Sequence, residues 1–291
     1  MKIVFFGTPN YALPVLTAVQ RRFVTGPGKS PIVAVVTQPP RPVGRKQLLS
    51  YSPIDKWAHG HKIPIFYRAK DLLKEKIDVE LGILASYGEI IPREVIDLFP
   101  KGILVIHPSL LPKYRGASPV PEAIKNGDPV TGVTIFLMDA KVDHGAIVSQ
   151  FKEDVLPEDT TETLRDRLFE RSAAVLVELM EPFLKGKVKP RAQDDSQATY
   201  TKTVRKEDGY INVDATDPAA TERFVRAMGP WPGAWTWVKL SAKDEPKRLK
   251  ILKAHLENGK IILDEVQLEG KGPVSWKQFS EGYKDAVFMG A

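Results

Sequence analysis

The chain has 291 residues, 43% of them hydrophobic and 27% charged, a composition typical of a globular protein and unlike that of a disordered one. The length suffices for one large domain or for two ordinary ones. Because the chain contains no cysteine, disulfides, thiolate catalysis and zinc held by cysteine are excluded. The formal net charge of +6 favours an anionic partner such as RNA without identifying one.

The chain up to Leu184 alternates between predicted strands and helices. Its first strand, Lys2–Phe6, begins so early that we expect no leader peptide. No apolar run reaches the roughly 18 residues of a membrane span. The expected compartment is therefore the cytoplasm. Further strands are predicted at Ile32–Thr37, Ile63–Phe66, Leu81–Ala85, Gly102–Ile106, Thr131–Met138 and Ala146–Phe151. Helices are predicted around the apolar stripe Ala12, Val15, Leu16 and Val19 and at Asp55–His59, Asp71–Ile77, Glu94–Leu98, Pro119–Asn126 and Thr160–Leu184. The alternation predicts an α/β fold with a doubly wound, mostly parallel sheet.

The composition changes at Gly186–Asp208, which is polar and has few large apolar residues. We interpret this segment, residues 186–208, as a linker between a first domain, residues 1–185, and a second domain, residues 209–291. The second domain has one predicted helix, Ala219–Met228, and several short predicted strands: Gly209–Val213, Thr236–Leu240, Leu249–Ala254, Lys260–Val266 and Gly272–Trp276. Short strands at this spacing predict a small β-barrel. Trp231, Trp235 and Trp237 are interpreted as part of its core, with a platform for stacking bases as the alternative.

A histidine stands where a buried strand ends. His107 follows the apolar run Gly102–Ile106, and Pro108 and Pro112 prevent a helix from starting at once. Ligands of open α/β sheets bind at the carboxyl ends of the strands. His107 is therefore a candidate catalytic residue, although spacing alone leaves a purely structural histidine as the commoner case.

Several motifs occur in the order found in one enzyme family. They are FFGTPNYA (Phe5–Ala12), SYG (Ser86–Gly88), HPSLLPKYRG (His107–Gly116), MDAKVDHG (Met138–Gly145) and GKGPVSWKQFSEGY (Gly270–Tyr283). In these motifs the whole chain resembles the methionyl-tRNA formyltransferases of the folate-dependent formyltransferase superfamily. The resemblance implies a Rossmann-like catalytic domain followed by an OB-like β-barrel. It also implies transfer of a formyl group from 10-formyltetrahydrofolate to the amino group of initiator methionyl-tRNA. We expect a monomer, and we expect no metal because the sequence shows no cluster of metal ligands.

The resemblance also implies roles for particular residues. His107 and Asp143 match the catalytic histidine and aspartate of the family. The folate side would be lined by Ser86, Tyr87, Gly88, Ser109, Leu110, Leu111 and Pro112, although Gly88 is equally explained by a turn that needs its backbone freedom. Contacts to tRNA would come from Arg41, Arg45 and Lys46 in the proline-rich loop Gln38–Ile54 and from Lys206, although such exposed charges can simply be solvated.

The chain departs from the family at Val105. Family members have an asparagine at this position, two residues before the histidine, and its amide donates a hydrogen bond to the oxyanion, whereas valine has no donor. Loss of one such donor typically costs about 10²–10³ in rate. Another donor can substitute, with a backbone N–H, a water or His144 as candidates; the enzyme can be slow; or the chain can be a catalytically impaired relative that binds tRNA or folate. A formyltransferase acting on an amino-sugar nucleotide is the alternative with a different acceptor.

Overall fold

The structure, a computed structural model, describes residues 1–26, 28–43 and 47–289. The chain forms two compact units, each assembled from three segments. The first unit comprises Met1–Arg115, Gly132–Glu153 and Arg165–Tyr200, and the second comprises Gly116–Thr131, Asp154–Leu164 and Thr201–Ala291. The domain limits at residues 185 and 209 stay a prediction, because the two units are defined by contacts and not by independent folding.

The strands of the described residues follow one another in the order β1 (Ile3–Gly7), β2 (Ile32–Val36), β3 (Arg41–Val43), β4 (Leu48–Ser50), β5 (Ile65–Phe66), β6 (Leu81–Ala85), β7 (Ile103–His107), β8 (Arg115–Gly116), β9 (Val130–Leu137), β10 (Ile147–Asp154), β11 (Tyr200–Thr201), β12 (Ala234–Lys239), β13 (Lys247–Glu257), β14 (Lys260–Leu268), β15 (Val274–Ser275) and β16 (Val287–Met289). The α-helices are α1 (Leu13–Phe23), α2 (Pro53–Gly60), α3 (Arg93–Ile96), α4 (Pro119–Lys125), α5 (Thr161–Leu184), α6 (Pro218–Met228) and α7 (Trp276–Gly282). Among the helices that the structure describes, none is both long enough and apolar enough to cross a membrane.

A seven-stranded sheet with the order β10-β9-β7-β6-β1-β2-β5 forms the centre of the first unit. The pairs from β7 to β5 are parallel, whereas β9 runs antiparallel to β7. Every residue of β1 and β7 is buried, as expected of parallel strands that are covered on both faces. The sheet confirms the predicted α/β fold class.

Helix α1 buries Val15, Leu16 and Val19 as its apolar stripe predicted. The helix predicted at Asp71–Ile77 is a 3-10 helix with different limits, Ala69–Lys74. Its two buried residues, Ala69 and Leu72, are three positions apart, which is the repeat of a 3-10 helix. The spacing of apolar residues in so short a segment does not distinguish the two helix types.

An antiparallel sheet with the order β15-β14-β13-β12-β16 forms the centre of the second unit. One of its predicted strands was wrong, and another is shorter than predicted. Gly209–Val213 has a single bridge from Tyr210 to Trp235, and a β-carbon on Gly209 would lie 2.3 Å from the carbonyl oxygen of Gly233.

The strand predicted at Gly272–Trp276 is present in shorter form as β15, because helix α7 begins at Trp276. The Ser275 hydroxyl accepts a hydrogen bond from the Gln278 N–H at 3.2 Å, and the Gln278 side chain accepts one from the Ser275 N–H at 3.1 Å. This capping box stabilises the start of the helix. Of the tryptophans interpreted as core, Trp235 is buried, whereas Trp231 is 62% exposed.

Candidate active site

Three neighbouring strands of the central sheet end at the same edge. β1 ends at Gly7, β6 at Ala85 and β7 at His107, and these strands are parallel. The SYG loop, residues 86–88, follows β6, and the SLLP loop, residues 108–116, follows β7. The sequence therefore brings both predicted folate loops and the candidate histidine to the carboxyl edge of the sheet, where α/β sheets bind ligands.

His107 and Asp143 form a close pair at this edge. The Nδ1 of His107 lies 3.6 Å from Oδ2 of Asp143, and the two side chains are 7% and 19% exposed. The Nε2 of His107 lies 2.8 Å from the carbonyl oxygen of Tyr114. A carbonyl can only accept, so Nε2 donates this hydrogen bond. Nδ1 is therefore the ring nitrogen that is directed at Asp143 and available for proton transfer.

The SLLP loop is held by one buried threonine of β9. The Thr134 hydroxyl donates to the carbonyl of Ser109 at 2.7 Å and accepts from the Leu111 N–H at 2.9 Å. Gln150 donates to the same hydroxyl at 2.9 Å and to the Leu111 carbonyl at 3.0 Å. The Ser109 hydroxyl donates to the Lys113 carbonyl at 2.6 Å. The polar atoms of Ser109 thus hold the loop together, while Leu110 and Pro112 remain half-buried.

Non-glycine residues with positive φ cluster at the site. Ser86, Tyr114 and Asp143 have φ values of +56°, +62° and +46°. Such conformations cost of order 1–3 kcal/mol each, and they persist where the surrounding structure imposes them. For Tyr114 the surrounding contacts are clear, because its N–H donates to the Thr199 hydroxyl at 2.8 Å while its carbonyl accepts from His107.

The SYG loop is tied to the end of β1. The Thr8 N–H donates to the Ser86 carbonyl at 3.1 Å, and the Thr8 hydroxyl donates to the Tyr87 carbonyl at 3.2 Å. The buried Tyr87 hydroxyl donates to Glu89 at 3.0 Å, and burial together with this carboxylate raises the pKa of Tyr87 well above its usual value. Tyr87 is therefore a neutral donor at neutral pH. Gly88 has a φ of +89°, so the turn does need a glycine.

Val105 is 4% exposed and sits in the apolar core, paired with Leu84 of β6 and Phe136 of β9. It points to the same face of β7 as His107, two residues on. His144 was one candidate replacement donor, but its Nδ1 lies 2.6 Å from Asp139 and its Nε2 lies 3.2 Å from the Asp195 carboxylate. Both ring nitrogens of His144 are engaged, which argues against this candidate.

Sequence reasoning missed the contribution of residues 191–200, which it assigned to a linker. Arg191 exchanges backbone hydrogen bonds with Ile147 at 2.8 and 2.9 Å, and Thr199 accepts from the Arg115 N–H at 2.8 Å. Arg115 is 2% exposed and donates to Gln193, to Asp195 and to the Tyr200 hydroxyl. Residues 191–200 therefore contact both the SLLP loop and the β9–β10 connection that carries Asp143.

Arg115 forms an ion pair with Asp195 of this segment. Hydrogen bonding to Arg115 holds the pKa of the Asp195 carboxyl below its usual range, with a smaller contribution from His144. A buried arginine requires partners of this kind. The sequence does not show that Arg115 of KYRG is buried, so its polar partners could not be predicted from it.

The described candidate tRNA contacts, Arg41 and Lys206, are both exposed. Arg41 is exposed on the β3–β4 hairpin, in the segment predicted to be an exposed loop. Arg45 and Lys46 lie outside the residues that the structure describes. Lys206 is exposed and lines a cavity of about 280 Å³ together with Trp235, Arg248 and Lys250. The guanidinium of Arg248 lies 4.4 Å above the Trp235 ring.

A metal site is not evident in the described parts of the chain. Across residues 1–26, 28–43 and 47–289, no group of three or more His, Cys, Asp or Glu side chains is arranged to hold a metal ion.

Two protein-family models match this chain and identify its enzyme class. The formyl transferase family model matches residues 1–180, and the model of the formyl transferase C-terminal domain matches residues 203–261. The chain belongs to the formyl transferase family, and it is an enzyme of one-carbon group transfer.

Individual relatives are more specific. The methionyl-tRNA formyltransferase of Chloroflexus aggregans is 42% identical over 244 residues, which cover 81% of this chain and 76% of the relative. The protein of the same name from Geotalea daltonii is 32% identical and covers 99% of this chain and 97% of the relative. Among solved structures, a methionyl-tRNA formyltransferase from Clostridium thermocellum has the same fold, with a TM-score of 0.59 at 20% identity over 94% of this chain and 100% of that one.

The Thr134 hydroxyl bonds to two buried backbone groups of the SLLP loop, so its removal should destabilise the protein. Thr134→Val should lower the free energy of unfolding by roughly 2–4 kcal/mol, because the Leu111 N–H and the Ser109 carbonyl lose their buried partner. Urea unfolding followed by circular dichroism measures the change. Thr236→Val is the matched control, because it removes a buried hydroxyl that has no partner; it should leave the stability unchanged or slightly raise it. Equal losses in both variants would contradict this assignment.

Proposed function

We propose that the chain transfers the formyl group of 10-formyltetrahydrofolate to the amino group of methionyl-tRNA of initiator identity. The observation that carries the proposal is the His107–Asp143 pair at the end of β7, in a chain 42% identical to a protein named methionyl-tRNA formyltransferase. The product would serve translation initiation. The proposal includes a monomeric state and a cytoplasmic location.

The reaction begins when the neutral amine attacks the formyl carbon. A carbon–nitrogen bond forms, the carbonyl oxygen becomes an oxyanion, and the bond from that carbon to the folate nitrogen then breaks. The Nε2–H of His107 is directed at Tyr114, so the protonated ring donates to the oxyanion through Nδ1–H, which the oxyanion shares with the Asp143 carboxylate 3.6 Å away. The Asp143 carboxylate orients the ring, accepts the proton that the amine loses and passes it to the folate nitrogen as it leaves.

The two loops supply the surface for the folate. Leu110 and Pro112 are half-buried and offer apolar area, whereas the backbone of Ser86, Tyr87 and Gly88 offers donors and acceptors. The carbonyls of Ser86 and Tyr87 each accept one hydrogen bond from Thr8 and have a second lone pair free for a ligand. Ser109 and Leu111 contribute by holding the loop in shape, since their polar backbone atoms bond to Thr134.

The test of the function is formylation of methionyl-tRNA by the purified protein. His107→Ala should lower turnover about 10²–10⁴-fold, because the donor to the oxyanion is lost, and folate binding measured by calorimetry should change little. His255→Ala is the control, because His255 also contacts a carboxylate, that of Asp264 at 2.9 Å, but lies in the second unit. Turnover of His107→Ala at the parent rate would refute the catalytic assignment.

The same assay separates the alternatives. If the unmutated protein formylates an amino-sugar nucleotide but not methionyl-tRNA, the acceptor is the sugar nucleotide. A parent that formylates neither, yet binds tRNA or folate, would be the catalytically impaired relative suggested by Val105.

The missing donor can be tested directly. Val105→Asn should raise turnover by about 10²–10³-fold if the absent amide limits the rate. It should also destabilise the protein by about 1–3 kcal/mol, because Val105 is buried among apolar side chains. Val105→Leu is the control, since leucine has the branched shape of asparagine without a donor. A similar turnover in both variants would show that the amide is not the limiting feature.

The tRNA contacts should act mainly through phosphate. Lys206→Ala and Arg41→Ala should each raise the KM for methionyl-tRNA and reduce the slope of log affinity against log salt by about 1, with turnover at saturation unchanged. Lys260→Ala removes an exposed charge at the β13–β14 turn and serves as the control. An equal effect in all three variants would indicate a general charge effect instead of two specific contacts.

A further inference from the structure

The side-chain amide of Gln193 uses all of its hydrogen-bonding positions. Its Nε2 donates to the carbonyl oxygens of Asp143 and Gly145, each at 2.9 Å. Its Oε1 accepts from Nε of Arg115 at 3.1 Å and from Nη2 of Arg115 at 2.7 Å. An amide has two N–H donors and two lone pairs, so none is left over. Rotating the amide by half a turn would set its NH₂ group against the guanidinium, which fixes its orientation.

The donor side of Gln193 controls the turn that carries the catalytic carboxylate. Asp143 has a φ of +46° and Gly145 follows two residues later, so both carbonyls of this turn are held by one side chain. The turn also has little room to shift toward β9, because a β-carbon on Gly145 would lie 1.7 Å from the Leu137 carbonyl oxygen.

The acceptor side of Gln193 is anchored to the other catalytic loop. Arg115 is 2% exposed and is also held by Asp195 at 2.7 Å and by the Tyr200 hydroxyl at 3.2 Å. It directly follows Tyr114, whose carbonyl accepts from His107. Gln193 therefore connects the turn that carries Asp143 to the loop that fixes the ring of His107.

We propose that Gln193 is a positioning residue that sets the placement of Asp143 relative to His107. It touches neither substrate nor reacting atoms and acts through the carbonyls of residues 143 and 145. The inference rests on the proposed function, because it assigns the effect of Gln193 to that reaction. A misplacement of about 1 Å in a catalytic group can lower the rate by about 100-fold, so this contact matters for turnover more than for binding.

Two substitutions separate the donor side from the acceptor side. Gln193→Leu removes both, whereas Gln193→Glu keeps an acceptor for Arg115 and removes the two N–H donors. Both variants should lower kcat about 10- to 100-fold and leave the KM for the folate donor within about threefold. Gln197→Leu is the control, because Gln197 lies in the same segment and donates to Asp194 at 2.8 Å.

A second measurement needs no substrate. Amide hydrogen exchange in the peptide covering residues 138–147 should become faster in Gln193→Leu and in Gln193→Glu, and should match the parent in Gln197→Leu. Exchange reports local opening of this turn, whereas a loss of global stability would accelerate exchange throughout the unit. The kcat–KM split and the local exchange together distinguish positioning from a general structural role.

The outcomes distinguish this inference from the proposed function. A parent that formylates no methionyl-tRNA refutes the function, and the exchange result then decides the inference alone. Unchanged exchange in Gln193→Leu, or parental kcat in an enzyme that is active, overturns the inference. Parental behaviour of Gln193→Glu alone also overturns it, because the donors to the turn would then be dispensable.

Discussion

The hydrogen bond from Nε2 of His107 to the Tyr114 carbonyl determines which ring nitrogen is available for the proposed reaction. Because a carbonyl accepts only, the Nε2 position is occupied by a proton, and Nδ1 becomes the atom directed at Asp143. Tyr114 presents its carbonyl in a left-handed backbone conformation, with φ at +62°. That conformation is maintained by Thr199 and Arg115, so the state of the ring depends on residues 191–200 as much as on β7.

The parts of the fold with regular spacing could be predicted from the sequence. The buried stripe of α1 and the fully apolar β7 follow from side-chain periodicity, and His107 was found because a proline follows a buried strand. Asp143 could be placed only by family resemblance, since nothing in its spacing shows that it returns to the end of β7. The bonds of Gln193 and Thr134 run from side chain to backbone across distant segments, and such bonds leave no period in the sequence. For this reason the sequence showed a linker where the structure has part of the site.

Position 105 of β7 is subject to two requirements that favour different side chains. The apolar core around β6 and β9 favours a hydrophobic side chain, whereas the oxyanion in the family mechanism requires a donor. In this chain Val105 fits the apolar core and supplies no side-chain donor. In the proposed mechanism the oxyanion would be stabilised by the single N–H of His107 that does not bond to Tyr114. The placement of Asp143 would then matter more here than in an enzyme with two side-chain donors.

Residues 191–200 have a consequence for how formyltransferase domains can be exchanged between chains. The two family models leave residues 181–202 unassigned, between the catalytic region and the C-terminal region. In this chain the interval contains Gln193 and Thr199, which contact the catalytic loops. A recombination that joins a new C-terminal module directly after α5 would discard these contacts along with the old module. Crossovers that preserve catalysis should therefore fall beyond Tyr200, and the interval should be inherited with the N-terminal region.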